Sequence, residues 1–273
     1  MTHPDQTPAD LSAALPPTPD ERPWALVTGA TGGLGQAFAG YLARRDHNLV
    51  LVGRRTEVLD RLADRIRVDH GVQVITESVD LSDPARTTAL TTDLADRGIC
   101  VDTLVNNAGF GTLTTVAEAD PARLAAEVAV DCQAVVQLSS TLLPAMIARG
   151  RGTIINVSST AAFQPIPGFA TYAAAKAFVL SFSRALWSET RGTGVRVTAI
   201  CPGPTDTGFF DAAGDDGFPG RRRHPDQVVE TAFRALSRRE PAAVDGLANK
   251  VQTTAVGLVP ARLATAAAGR LFD

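Results

Sequence analysis

The sequence predicts an α/β fold, one domain built on a doubly wound parallel sheet, and three observations carry that prediction. From Trp24 onward, short Val/Ile/Leu-rich runs alternate with longer stretches of helical periodicity. The short runs are almost continuously apolar rather than alternating, the pattern of parallel strands covered on both faces. The first run leads straight into a glycine-rich turn, TGATGGLG at 28–35.

Each element follows in order. WALVT (24–28) reads as a strand and GLGQAFAGYLARR (33–45) as the helix after it. NLVLVG (48–53) precedes a helix marked by Val58, Leu59, Leu62 and Ile66. VQVITESV (72–79) is the third strand, and Asp83-Pro84 opens the next helix, since proline suits a first turn. VDTLVN (101–106), GTIINVS (152–158) and VRVTAIC (195–201) are further strands, separated by long helices at about 121–149 and 170–190. AAVDG is the last expected strand, and a helical C-terminal extension follows it. Six prolines between Pro4 and Pro23 break any periodicity, so residues 1–23 are expected to be a disordered tail before a single domain at 24–273.

Composition narrows the function. A net charge of −3 provides no positive field for nucleic acid or anionic lipid. Cys100, Cys132 and Cys201 are odd in number and lack CxxC spacing, which suits small core residues in a reducing compartment. The four histidines form no HxxxH pair, so no metal site is expected. The N-terminus lacks a basic start followed by an apolar run, and the uncharged stretch 152–175 is broken by Pro165 and Pro167. A cytoplasmic protein without a membrane span is the expectation.

Two places carry chemistry. Gly29, Gly33 and Gly35 permit a tight turn, close approach of backbone to a pyrophosphate, and exposure of a helix N-terminus to that anion. A crowded strand–helix junction could need glycine for packing alone. The second place is TYAAAKAFV, where one of only two tyrosines, Tyr172, stands four residues before one of only two lysines, Lys176. A shared helix face is the plain alternative.

Taken together, TGATGGLG, NNAG at 106–109, Ser159, Tyr172, Lys176 and PGPTDT at 202–207 resemble the short-chain dehydrogenase/reductase family. The motifs stand in the family's order, with thirteen residues from serine to tyrosine, and the resemblance covers about residues 24–245. It implies a Rossmann-type fold and an NADP(H)-dependent oxidoreductase that interconverts a ketone or aldehyde with an alcohol. Tyr172 would be the acid/base, Ser159 would hold the substrate oxygen, and Lys176 would bond the nicotinamide ribose. A tyrosine pKa near 10 is too high for neutral-pH proton transfer, so the lysine charge together with the positive nicotinamide of the oxidised cofactor is expected to lower it. Cofactor contacts are implied for Gly29, Thr31, Gly33, Leu34, Gly35, Asp80, Leu81, Asn107, Ala108, Gly109, Pro202, Gly203, Thr205 and Thr207, besides Tyr172 and Lys176.

Two positions depart from the commonest pattern. Where NAD-preferring members carry an acid, this chain has Gly53 followed by Arg54 and Arg55, which suits a 2′-phosphate. NADP(H) is therefore the expected cofactor and NAD(H) the second choice. Twenty-eight residues before Ser159, where the family usually has an asparagine, stands Asp131. It is counted among the catalytic residues, with a carboxylate's charge added near Lys176. The segment 208–227, with Phe209, Phe210 and Phe218, falls where the family folds a flap over substrate. The helices at 121–149 and 170–190 would pair two subunits, giving a homodimer or homotetramer. Leu258, Val259, Leu263, Leu271 and Phe272 in the extension could seal the pocket, join an interface or touch a membrane. Two other readings remain: a nucleotide-sugar epimerase-like enzyme, and a nonenzymatic NADP(H)-sensing or scaffold protein.

Overall fold

The computed structural model describes residues 22–209 and 222–269, so most of the expected tail lies outside the described residues. The strands are β1 Trp24–Thr28, β2 Asn48–Gly53, β3 Val74–Ser78, β4 Val101–Asn106, β5 Gly152–Val157, β6 Val195–Cys201 and β7 Ala242–Val244. They form one sheet in the order β3-β2-β1-β4-β5-β6-β7, with every pairing parallel. The order reverses between β1 and β4, which opens a crevice beyond the C-terminal ends of those strands.

Side-chain alternation sends each strand into two cores. Ala25 and Val27 of β1 pack with Phe38 and Leu42 of α1 (Gly33–Ala43), Leu59 and Leu62 of α2 (Thr56–His70) and Val228 of α7 (Pro225–Ser237). Leu26, between them, faces the opposite layer with Leu90 and Leu94 of α3 (Pro84–Asp96), Leu138 of α5 (Ala134–Ala148) and Leu186 of α6 (Ala170–Glu189). Burial on both faces explains the uninterrupted apolar runs.

Helix starts follow local chemistry. Asp83 accepts from Ala85 N and Arg86 N ahead of Pro84, and Asp120 accepts from Ala122 N ahead of Pro121 at the start of α4 (Pro121–Val128). Helix α7 was not anticipated from the sequence; His224 and Gln227 cap it reciprocally.

The segment expected as one helix at 121–149 is α4, a π turn over Ala129–Gln133, and α5. By length and composition, Pro121–Ala148 is long and apolar enough to cross a membrane, with 33% of that window buried. Here it packs on α3 and α6, and it carries two carboxylates, Glu127 and Asp131, buried inside the protein. After β7 come α8 (Leu247–Val256) and α9 (Ala261–Gly269).

Candidate active site

The glycine-rich turn is built by close contacts. Gly29 has φ +64°, and a Cβ there would stand 2.8 Å from Ala108 Cα. A Cβ on Gly33 would stand 2.9 Å from Thr207 Cα, and one on Gly35 would collide with the Gly29 carbonyl. Gly32 starts α1 in extended backbone without a side-chain cap. Free N–H groups of α1 therefore face the crevice, a geometry that attracts an anion. Leu34 anchors the helix in the core.

NNAG locks this turn to β4. Thr28 Oγ1 donates to Val105 O at 3.2 Å and accepts from Asn107 N at 2.9 Å and Ala108 N at 3.0 Å. The Asn107 amide donates to Thr28 O and Gly29 O. Asn106 bonds Ser139 and Asn156, and Asn156 donates to Ser183, so a buried chain of amides and hydroxyls ties β4 and β5 to α5 and α6. Thr28, the first residue of TGATGGLG, has no role of its own in the sequence reading; its hydroxyl is what ties the turn to β4.

At the cofactor's expected adenosine end, Arg55 Nη2 donates to Thr31 O at 2.8 Å and so braces the turn. Arg54 lines the cavity, with no side-chain hydrogen bond or ion pair among the described residues. A Cβ on Gly53 would meet Thr31 Cγ2 at 2.9 Å, so an acid at that position would displace Thr31. Asp80 accepts from Ser82 N and Oγ, bonds that hold its pKa below the usual carboxylate range, and Leu81 is buried beside it.

Ser159 follows β5 and starts a short 3₁₀ turn (Thr160–Phe163), its Oγ accepting from Ala161 N at 3.1 Å. Ser158 turns inward instead and donates to Lys176 O at 2.8 Å. Tyr172, one helical turn before Lys176 on α6, is 8% exposed. Its ring stacks on Phe169 with centroids 4.4 Å apart and tilts against Phe209 at 5.3 Å. Lys176 lowers the Tyr172 pKa as expected, but the protein groups alone leave it raised. Burial raises it, outweighing the pull of Lys176 and the hydrogen bond from Ser159, while Asp131 and Glu127 add to the rise. In this setting Tyr172 is held protonated.

Lys176 is 4% exposed, with Nζ donating to Val157 O at 3.3 Å and lying 5.5 Å from the Tyr172 ring centroid. Asp131, fully buried, sits in the π turn with Oδ2 3.3 Å from Lys176 Nζ. The contact is an ion pair rather than an aligned hydrogen bond, for Oδ2 has no hydrogen-bond donor at good geometry. Oδ1 accepts from Phe110 N at 3.2 Å. Burial opposes the Lys176 charge, but Asp131 and Tyr172 outweigh it and keep the lysine pKa raised. Burial likewise raises the Asp131 pKa against the pull of Lys176. Gly109 makes room for the pair: a Cβ there would be 2.5 Å from Asp131 Oδ1 and 2.9 Å from Lys176 Nζ. The neighbouring Cys132 thiol is pushed up to about 11 by burial, so it stays protonated.

The glycine turn, Arg54, Arg55, Asp80, Asn107, Gly109, Ser159, Tyr172 and Lys176 border one cavity of about 910 Å³, which also takes in Pro202, Gly203, Thr205 and Thr207, while Asp131 lies buried behind Lys176. Beyond Ser159 and Tyr172 its walls are Phe110, Phe163, Ile166, Phe169, Phe209 and Val256. Asn249 and Gln252 of α8 close one side, and Asn249 packs directly on Gly203. The extension thus reaches the pocket through α8, while Leu258 and Leu263 are 83% and 62% exposed. Phe210, Phe218, Leu271 and Phe272 lie outside the described residues. No motif marked Phe110, Glu127 or the α8 residues; they are found only by folding the chain.

The sequence profile of the short chain dehydrogenase family matches residues 23–216. An oxidoreductase of Staphylococcus saprophyticus is 33% identical over 215 residues, covering 78% of this chain and 91% of that protein. The NADP-dependent 3-hydroxy acid dehydrogenase YdfG of Salmonella typhi is 35% identical, covering 72% and 79%. The similarity to glycine betaine reductase of Emericella nidulans, 32% identical, covers 81% of this chain and only 18% of that longer protein. Among solved structures, a short-chain dehydrogenase from Sphingobium yanoikuyae in complex with NADPH superposes with a TM-score of 0.78 at 32% identity, covering 86% of this chain and 94% of its own. A bulky-bulky ketone specific alcohol dehydrogenase from Comamonas testosteroni superposes at 0.74 with 28% identity, covering 86% and 93%. With the glycine turn, the NNAG lock and the serine, tyrosine and lysine all on one crevice, the chain belongs to the short chain dehydrogenase family of NAD(P)-dependent oxidoreductases.

Proposed function

We propose that this protein is an NADP(H)-dependent carbonyl reductase or alcohol dehydrogenase acting on an uncharged, largely apolar ketone or aldehyde, with Tyr172 as its acid/base. The observation that carries the reading is the single cavity lined by the glycine turn and Arg54 at one end and by Ser159, Tyr172 and a wall of aromatic side chains at the other. The uncapped α1 N-terminus on the cavity fits a dinucleotide pyrophosphate, since its free N–H groups and positive potential attract an anion, while close packing of Gly29, Gly33 and Gly35 against the chain's own backbone shapes the turn. When bound, the nicotinamide cofactor supplies or accepts the hydride.

The chain's own residues would manage the oxygen and its proton. Ser159 orients the substrate oxygen, and Tyr172, protonated in its buried setting, donates to that oxygen as negative charge grows there. Lys176 stabilises the phenolate left behind, and Asp131 keeps that lysine charged. Among the described residues the only charged groups on the cavity are Arg54, Arg55, Asp80 and Lys176, and on the aromatic side only Lys176 occurs, already paired with Asp131. This lining of described residues supports an uncharged substrate, since a buried carboxylate or phosphate would need an unpaired cation.

The test is NADPH oxidation across ketones, steroids, sugars and 3-oxoacyl thioesters. Turnover is expected with apolar ketones. NADPH binding without turnover of any of these would favour the nonenzymatic reading instead.

A further inference from the structure

Glu127 lies one helical turn before Asp131 and has no place in the mechanism above. Its side chain is 0% exposed, and neither carboxylate oxygen has a hydrogen-bond partner. The groups facing it come from three elements. Arg123 lies on α4 itself, Asp131 in the π turn, and Lys176 on α6. The charge of Glu127 is felt in turn by Cys132 and Tyr172. The Thr112 hydroxyl leans towards Glu127 without reaching hydrogen-bonding geometry, and itself accepts from Arg123 Nε at 3.1 Å. Arg123 is exposed, so the line of groups runs from the surface at Arg123 through the buried Thr112, Glu127 and Asp131 to Lys176.

Charge balance within this cluster decides where a proton sits. One buried ammonium, Lys176, faces two buried carboxyls, and ionising both would leave uncompensated negative charge away from water. Asp131 has the ion pair with Lys176 and the N–H of Phe110 to favour its charged form. Among the described residues, Glu127 has neither an ion pair nor a donor at hydrogen-bonding geometry on either oxygen. The same burial and the Asp131 charge push the Glu127 pKa upward.

We propose that Glu127 carries a proton at neutral pH and, acting through Asp131 and Lys176, serves as the inner store that makes good the proton Tyr172 gives up at each turnover. The proposal rests on the carbonyl-reductase reading above. In reduction, the carbonyl carbon accepts the hydride and its oxygen accepts the Tyr172 proton: a C–H and an O–H bond form as the phenol O–H breaks. The Tyr172 phenolate then regains a proton from the cluster, whose net loss is the Glu127 proton, and Glu127 takes one back from solvent. No electrons move after the hydride step, and each alcohol formed consumes one solvent proton. Glu127 touches neither substrate nor cofactor.

The first arm of the test needs no cofactor. Infrared spectra of the protein alone at neutral pH are recorded for wild type and Glu127→Gln, whose amide copies a neutral carboxyl in shape. A carboxylic-acid carbonyl band is expected in wild type and absent from the variant. A wild type without that band, or a band that survives in Glu127→Gln, overturns the assignment whatever the enzyme's activity. Should Glu127→Gln fail to fold, Glu127→Met repeats the subtraction. The second arm measures ketone reduction with NADPH on the alkaline limb of the pH profile. Glu127→Gln should lower kcat about tenfold with KM unchanged and a larger solvent deuterium isotope effect, a loss smaller than that for a group donating directly to substrate. An unchanged kcat–pH profile would refute the relay, because a purely structural glutamate would leave that profile in place.

Discussion

Replacing Asp131 with Asn probes the pair on which the proton chemistry turns. Asp131 Oδ2 stands 3.3 Å from Lys176 Nζ with both groups buried. At an effective dielectric near 20, such a pair attracts by roughly 5 kcal/mol. Desolvating two ions opposes that gain by several kcal/mol each. Asn keeps the shape and an oxygen for the Phe110 N–H, so the net stability change should stay within about 2 kcal/mol, below the ~3–5 kcal/mol for deleting one partner of a buried pair outright. The pH sign is also fixed. Burial raises the Asp131 pKa, so its stabilising contribution is complete below the ordinary carboxylate range and is lost as pH rises through the raised value. Any stability deficit of the Asn variant should therefore be largest in acid and shrink towards neutrality. Burial opposes the Lys176 charge and Asp131 is the foremost group sustaining it, while Asp131 also raises the Tyr172 pKa. Removing the carboxylate lowers both values, so the alkaline limb of ketone reduction should move to lower pH. Maximal rate should change less than tenfold, under about 1.4 kcal/mol. The assays are urea unfolding and kcat against pH. Complete loss of turnover in a folded variant, or an alkaline limb that moves upward, would refute this reasoning.

Three further outcomes are expected. Arg54→Asp should turn preference from NADPH to NADH, because a charge-assisted phosphate contact of about 1.5–3 kcal/mol corresponds to roughly ten- to a hundredfold; equal use of both cofactors by wild type would contradict the assignment. Gly109→Ala forces a methyl to within 2.5 Å of Asp131 Oδ1 and 2.9 Å of Lys176 Nζ, and should cut kcat more than tenfold while the fold survives by circular dichroism. Val128, Ile147 and Phe178 on α4, α5 and α6 are exposed apolar side chains, and light scattering at micromolar concentration should find a dimer or tetramer, with a monomer counting against it.

Much of this was readable in the chain itself, and for definite reasons. β1, β2, β4 and β6 have the predicted limits because strands covered on both faces leave an uninterrupted apolar signature. Asp83-Pro84 marked its helix because capping is a local property. Both serines border the cavity, but the Ser158 hydroxyl is committed to the Lys176 carbonyl while Ser159 Oγ accepts from Ala161 N. What the sequence withheld depends on distant contacts. Helix α7 was hidden beside a segment read as a flap, and the π turn leaves no mark in local periodicity. Glu127 resembles any helix-surface glutamate until the chain folds over it. The raised Tyr172 pKa arises from Phe169 and Phe209 packing on the ring, contacts that no count of Tyr–Lys spacing could reveal.

The central claim is that Tyr172 donates the proton in an NADPH-dependent carbonyl reduction, and Tyr172→Phe tests it most directly. The substitution removes one oxygen and leaves a ring able to stack on Phe169, so fold and cofactor binding should persist. The measurement is ketone turnover with NADPH beside the NADPH dissociation constant, for wild type and variant. Turnover should fall by about 10²- to 10⁴-fold, the range for losing a positioned general acid, with the dissociation constant unchanged. A Tyr172→Phe enzyme that binds NADPH normally and keeps kcat within tenfold of wild type would contradict it.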